Sequence, residues 1–354
     1  MSVADANRLT AAWAATLDGA GGTVLSGAGV YPLLALLAGA AEGPAAEELR
    51  AVAAQPLELP ASVRAAVGLW ARADVPLTPR WRELVAGVLT DDRGPLDRWA
   101  SERTGGLIPA MPIQVKDETR LVLAGALAVD EPWVDPFWDG PIFVDGGPWD
   151  RRPINGLHRK PDGPAGIAVL DSQAGPLTRV TVAARGDLDV VLVLGEEHRG
   201  PGELLPAAIA APAAQGIFSL HGPGISVRAG MTPGYLLSVP RFTVRADHDL
   251  LAHAELFGLR TASDDTRGHF PGIADEPLAV SAAAQAATAS FTAKGFQAAA
   301  VTAFAVAAGA GPRHEQVCVS FDRPFGFLAV HRPTGLVLFA GWIAEPEPWD
   351  PGAF

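Results

Sequence analysis

The sequence predicts an α+β fold, and three observations carry that prediction. Helix-like patterns crowd the first 110 residues, and Val-rich strand patterns fill the second half. No internal repeat, and no regular alternation of strand with helix, joins the two halves. A doubly wound parallel sheet requires that alternation, whereas segregated helices and strands suit an antiparallel or mixed sheet with helices on its faces.

Along the chain, Leu9, Trp13 and Leu17 recur every four residues, as on one face of a short helix that Gly19, Gly21 and Gly22 end. The stretch from Gly19 to Ala41 has no charge. Ser26, Gly27, Gly29 and Pro32 interrupt it, and basic flanks are missing, so it reads as a strand at Thr23–Leu25 followed by a buried helix from Pro32 to Ala38. No membrane span is expected. A further helix is expected to begin with Glu47, Glu48 and Leu49, and another at Val63–Ala73. Leu121–Val129 is apolar and uncharged, as a strand buried on both faces would be. Pro, Gly and Asp from Gly140 to Gly166 predict turns and short strands. Arg179–Ala183 and Asp189–Leu194 read as strands, Glu203–Ala214 as a helix, Leu236–Val244 as a strand and Asp249–Phe257 as a helix. Phe325–Val330 and Leu336–Trp342 form a hairpin turning at Pro333, Thr334 and Gly335.

Composition excludes several functions. The 354 residues carry a net charge of -12 and no dense Lys/Arg run, which argues against a nucleic-acid binder. Cys318 is the single cysteine, so no intrachain disulfide is available. Asp5, Arg8 and Asp18 break the apolar core a signal peptide needs. Cytoplasmic residence is the default reading, and the compartment stays open. No nucleophile elbow, phosphate-binding loop or zinc motif occurs, so no enzyme, cofactor or metal is expected. His248 and His253, five apart, suit neither one helix face nor a ligand pair, and read as surface or satisfied core residues.

The unusual segment is Ala282–Gly311, whose one charge is Lys294. Its alanines alone favour a helix. Yet Phe296, Val301, Thr302, Phe304 and Val306 are strand formers, and no proline occurs before Pro312. Composition leaves helix and central strand both open. Here the sequence resembles the serpins. Gly295, Phe296, Gln297, Ala298, Ala299, Ala300, Val301 and Thr302 are similar to that family's loop hinge, a glycine leading into a run of alanines. Val319 to Phe325, with Arg323-Pro324-Phe325, and Phe339-Ala340-Gly341 resemble its closing strands. Upstream, Gly43, Glu48 and Leu49, then Trp99, Thr104, Gly105, Ile108 and Pro109, then Leu123–Phe137 with Trp133, then Val239-Pro240-Arg241-Phe242 follow in the family's order. The stretch from about Gly140 to Gly234 matches poorly and looks shortened.

The resemblance implies a single domain over 1–354, with three β-sheets, about eight helices and an exposed reactive loop at about 295–318. It implies an inhibitor, not an enzyme, that acts once: a serine protease cleaves the loop, forms an acyl-enzyme and is trapped as the loop enters the main sheet. The alternative within the same fold is a serpin that is merely cleaved, or one that binds and carries a ligand. The scissile residue is expected about fourteen residues after Gly295, at Gly309 within Ala307, Ala308, Gly309 and Ala310, which points to an elastase-like or subtilisin-like protease; Arg313 is the rival. A monomer is expected, and by family analogy an extracellular setting is open. A composition rich in Ala, Gly, Pro, Arg and Asp suggests a genome rich in G and C, and a bacterial-type member is expected. Trp133 falls in the breach, where the loop enters. Three positions depart from the family pattern: Phe296 replaces a smaller hinge residue, and Gln285 and Gly125 replace a shutter histidine and asparagine, while Ser26 matches a shutter serine. Phe296 is expected to overpack the gap and slow insertion.

Overall fold

The structure is a computed structural model that describes residues 2–350 except 118, 212–215, 231 and 297–313. In chain order it contains α1 (Ser2–Ala14), β1 (Thr23–Leu25), α2 (Gly27–Ala38), α3 (Gly43–Val52), β2 (Arg64–Arg72), α4 (Pro79–Leu84), β3 (Gly87–Leu89), α5 (Gly94–Thr104), β4 (Leu121–Ala128), β5 (Glu131–Pro132), β6 (Trp138–Phe143), β7 (Pro153–Arg159), β8 (Ile167–Ser172), β9 (Gly175–Ala183) and β10 (Leu188–Leu194). There follow α6 (Pro201–Ala210), β11 (Ile225–Gly230), β12 (Gly234–Pro240), β13 (Phe242–Asp249), a 3-10 turn (Leu250–His253), β14 (Ala282–Phe291), β15 (Gly295–Phe296), β16 (His314–Ser320), β17 (Phe325–His331) and β18 (Leu336–Ile343).

The strands form three sheets: six strands in the order β1-β18-β17-β10-β9-β8, five in the order β11-β16-β12-β7-β6, and seven in the order β3-β2-β4-β14-β15-β5 with β13 paired to β14. Helix α2 lies between two of them, touching β2 and β4 on one side and β18 on the other. Its residues Val30, Tyr31, Leu33, Leu34 and Leu37 are buried, which explains a charge-free helix of 12 residues. Among the described residues no helix is long and apolar enough to cross a membrane. The opposite face of the seven-stranded sheet is covered by α5, whose Leu96 and Ala100, with Ile108 just beyond it, cluster with Trp70, Val122, Ala124, Ala126, Ala284 and Ala286 of the sheet.

Several expectations need correction. The described residues contain six α-helices rather than about eight. Between α3 and β2 the chain carries Pro56 and Pro60 and forms no helix. Val63–Ala73, expected as a helix, is strand β2, paired with β4 over Arg64–Ala71 and with β3 at Trp70–Arg72. Its alanines suit a helix, but Leu69 and Trp70 are buried in clusters on opposite faces of the sheet. Two-sided burial removes the alternation that marks a strand, so tertiary pairing overrides local preference. Leu236–Val244 is two strands: Arg241 separates β12 from β13, and the chain changes sheets there. Beyond Asp249, whose carboxylate accepts from the Leu251 N–H at 2.9 Å, the expected helix is one 3-10 turn.

Candidate functional site at the head of the seven-stranded sheet

Strands β4 and β14 run parallel and pair directly from Val122/Ala282 to Leu127/Ala287. Parallel neighbours at the centre of the sheet, each flanked on its other side by an antiparallel partner, mark a seam, because one antiparallel strand placed between them would restore the alternation of direction. Above Leu127 and Ala287 the strands part. β14 continues to Phe291, turns through Thr292–Lys294 and returns as β15. The turn is tied by its own residues: Thr292 N–H donates to the Gly295 carbonyl at 3.0 Å, and Thr292 Oγ1 lies 3.3 Å from Gly295 N.

β15 already occupies the mouth of the seam. It is antiparallel to β14 on one side, with Phe296 opposite Phe291, and to β5 on the other, with Gly295 opposite Pro132 and Phe296 opposite Glu131. A Cβ on Gly295 would stand 2.6 Å from the Glu131 carbonyl oxygen, so the close approach of these strands requires glycine. Trp133 is fully buried and holds the turn twice: its N–H donates to the Lys294 carbonyl at 2.9 Å and its indole Nε1 to the Thr292 carbonyl at 2.8 Å. Phe137 N–H adds a bond to the Ala293 carbonyl at 2.8 Å.

The Phe296 ring is 1% exposed, with centroids 6.5 Å from Trp133 and 6.2 Å from Phe327. The ring is therefore already housed at the mouth of the seam, ahead of the residues expected to follow it in an insertion.

Lower down, Ser26, Gly125 and Gln285 converge. Gln285 is the register partner of Gly125 on one side and of His248 on the other. Its side chain reaches down to the N-cap of α2: Oε1 accepts from Ser26 N–H and Nε2 donates to the Ser26 carbonyl, both at 2.8 Å. Ser26 Oγ accepts from Gly29 N–H at 3.0 Å and donates to the Leu338 carbonyl at 2.5 Å. A Cβ on Gly125 would meet the Gly29 carbonyl at 3.4 Å. Gln285 thus ties β14 to the layer beneath it, and Gly125 offers no side chain to bridge the seam. His248 is a satisfied, half-buried residue: Nε2 lies 2.9 Å from the Val24 carbonyl, the ring meets Trp13 at 4.9 Å, and burial lowers its pKa. Sequence order singles out Gly125 and Gln285 only as expected shutter positions; it does not reveal their direct pairing or the hold on Ser26.

The remaining hinge residues Gln297, Ala298, Ala299, Ala300, Val301 and Thr302, the window Ala307–Ala310 and Arg313 lie outside the described residues. The C-terminal part of the expected loop, His314–Cys318, belongs to strand β16. Cys318 is half-buried there, with its thiol pKa raised by burial. Among the described residues no cluster of three His, Cys, Asp or Glu side chains is placed to hold a metal ion.

The solved structure of native protease nexin-1 with heparin aligns with a TM-score of 0.74 at 18% identity, covering 98% of each chain. The fold is that of a serpin. Residues 185–346 match the family model described as Serpin (serine protease inhibitor). Serpin-Z2A of Oryza sativa subsp. japonica is 25% identical over 396 aligned positions, covering 91% of both chains. Plasminogen activator inhibitor 1 of Neovison vison is 33% identical over 112 positions, which span 31% of this chain and 27% of that protein. These relatives come from a plant and an animal, and they lend the bacterial assignment no support.

Proposed function

We propose that this chain is a serpin and a single-use inhibitor of serine proteases that acts by loop cleavage, acyl-enzyme trapping and strand insertion. The observation that carries the reading is the seam with its first rung laid. Phe296 lies opposite Glu131 and Phe291 in antiparallel register. If the chain continued down the seam in those registers, Thr302 would arrive opposite Gly125 and Gln285 together, since each lies six residues from its anchor. The two registers agree, so one strand satisfies both walls.

Side-chain size supports the same course. Leu121, Leu123 and Leu127 face the main core, while Val122, Ala124 and Ala126 face α5. With a period of two, Ala298, Ala300, Thr302, Phe304 and Val306 would join Phe296 on the core side. Ala299, Val301, Ala303 and Ala305 would pass beneath α5, where Ala284 and Ala286 leave only shallow room. The large side chains go to the core and the small ones under the helix. Insertion would exchange one parallel ladder for two antiparallel ones and bury Phe304 and Val306, at about 2 kcal/mol each.

The chain acts as substrate and trap, not as enzyme. A protease serine attacks a peptide bond in Ala307–Ala310, and the acyl-enzyme ester is carried down the seam before water reaches it. Small residues in that window suit elastase-like or subtilisin-like pockets. Cleavage after Arg313 would lengthen the tether by four residues, about 13 Å at roughly 3.3 Å each, and leave slack for hydrolysis. A panel of serine proteases tests the reading. A covalent band on a denaturing gel, with a released fragment starting within 308–311, is the expected result; turnover by every protease without a complex would contradict it.

A cleft of about 940 Å³ between α1, the β8–β9 turn and α6, lined by Ala11, Ser172, Gln173, Glu203 and Pro206, is where a carrier reading would place a ligand. Ligand binding with clean turnover of the loop would favour that alternative.

A further inference from the structure

We infer that β11 and the turn after it form a clasp that locks β16 in its sheet and so bars an uncleaved loop from full insertion. The inference rests on the insertion reading above. An insertable loop tied at both ends has a wasteful route open to it: it can enter the seam without being cut. In the registers set by Phe296, residue Val306 would lie opposite Leu121 at the foot of β4. From Glu131 to Leu121 the descent is about 33 Å at roughly 3.3 Å per residue. The return from Val306 to His314 has eight Cα–Cα steps and reaches at most about 29 Å. The missing length has to come from β16, so uncleaved insertion requires β16 to leave its sheet.

The sheet is built to resist that. β16 is an interior strand, antiparallel to β11 over Ile225–Gly230 and parallel to β12 over Gly234–Ser238. β11 ends at Gly230 on one side of β16 and β12 begins at Gly234 on the other, so the short connection between them crosses the end at which β16 enters, level with His314 and Gln316. Gln316, 7% exposed, donates through Nε2 to the Thr232 carbonyl at 3.1 Å and fastens the strand to that connection. The far end of β11 is anchored as well. Gly224 has φ +71, a Cβ there would collide with the Ser320 carbonyl oxygen, and Gly224 O accepts from Ser320 N–H at 2.9 Å. Thr178 Oγ1 donates to the Pro223 carbonyl at 2.7 Å. Without β11, β16 would be an edge strand held by one ladder. With it, both ladders must open and the strand must pass the connection. Cleavage removes the requirement, because the cut loop descends without drawing on β16.

Two adjacent proline variants test the clasp. N–H groups along β11 alternate between β16 and the free edge, so one of Val227→Pro and Arg228→Pro breaks a bond to β16 and the other does not. Intact protein is held a few degrees below its thermal midpoint, and conversion is read as a heat-resistant form whose chain is still uncut on a denaturing gel. One variant is expected to convert about tenfold faster than the unaltered chain, and its neighbour at nearly the unaltered rate. If the prolines prevent folding, Ser226→Cys serves instead, since Ser226 is the register partner of Cys318. The oxidised form should resist conversion and the reduced form should not. Equal rates in all variants, or in both redox forms, would overturn the clasp if cleaved protein is heat-resistant, leaving insertion intact. A cleaved form without added stability would overturn insertion, and the clasp with it.

Discussion

Replacing Phe296 by threonine discriminates between a ring already seated in the sheet and a ring still waiting to enter it. The ring is 1% exposed and packs on Trp133 and Phe327. Truncating a buried Phe costs about 3 kcal/mol or more. Unfolding of this 354-residue chain has an entropy of about 0.74 kcal/mol/K at roughly 2.1 cal/mol/K per residue, so the loss corresponds to a fall of about 4 °C in midpoint. β15 is only two residues long, and the weakened hinge can also leave the seam, which makes 4 °C an upper value for the intact form. The ring is buried before and after insertion, so the cleaved form should fall by a similar amount. Inhibition stoichiometry, titrated against a protease that forms the complex, should stay the same or rise, because the first rung is weaker. An unchanged intact midpoint together with a lower stoichiometry would refute the seated ring and restore overpacking as the explanation.

Other perturbations have outcomes as definite. Gln285→Ala leaves the buried Ser26 N–H without its acceptor, while the Ser26 carbonyl keeps bonds from α2. Denaturant unfolding should show a loss of about 1–3 kcal/mol, and no loss would deny Gln285 its anchoring role. Thr302→Arg would bring a charge to the level of Gly125 and Gln285, so it should leave the intact midpoint unchanged, abolish the stability gained on cleavage and turn inhibition into turnover. Retained trapping would contradict the register. His248 and His158 both have pKa values lowered by burial. Below the ordinary histidine value of about 6.5 the unfolded chain takes up protons that the folded chain refuses, so stability should fall on acidification, by at most about 1.4 kcal/mol per pH unit for each histidine. A flat profile between pH 7 and 5 would count against this, and His248→Gln should reduce the slope.

Much of the fold is legible where one physical demand dominates the local sequence. β4 is buried at all eight positions and reads as an uninterrupted apolar run. The β17–β18 hairpin is announced by Pro333-Thr334-Gly335, where Gly335 takes φ +70 and Thr334 Oγ1 pairs with His331 Nδ1 at 2.8 Å. Thr104 and Gly105 end α5 as their types suggest: Gly105 is left-handed, and Thr104 Oγ1 accepts from Ile108 N–H at 3.1 Å as the chain turns back. Order along the chain is enough to single out Ser26, Gly125 and Gln285, which converge in the structure. It does not yield their chemistry, because the grip of Gln285 on Ser26 joins residues 259 apart. The alanines of β2 disguise it as a helix. The seating of Phe296 depends on the space between Trp133 and Phe327, which no local pattern records. β11 escapes detection for a different reason: as an outer strand with no fully buried position, Ile225–Gly230 has neither an apolar run nor a clean alternation.

The proposed inhibition stands or falls on whether the residues after Phe296 enter the seam once the loop is cut. The decisive comparison is the thermal midpoint of the intact chain against the same chain nicked within Ala307–Ala310, with both fragments retained. A large rise on nicking is expected, because a new strand would part β4 and β14 and pair with both. An unchanged or lower midpoint, with the nick confirmed by mass, would contradict strand insertion.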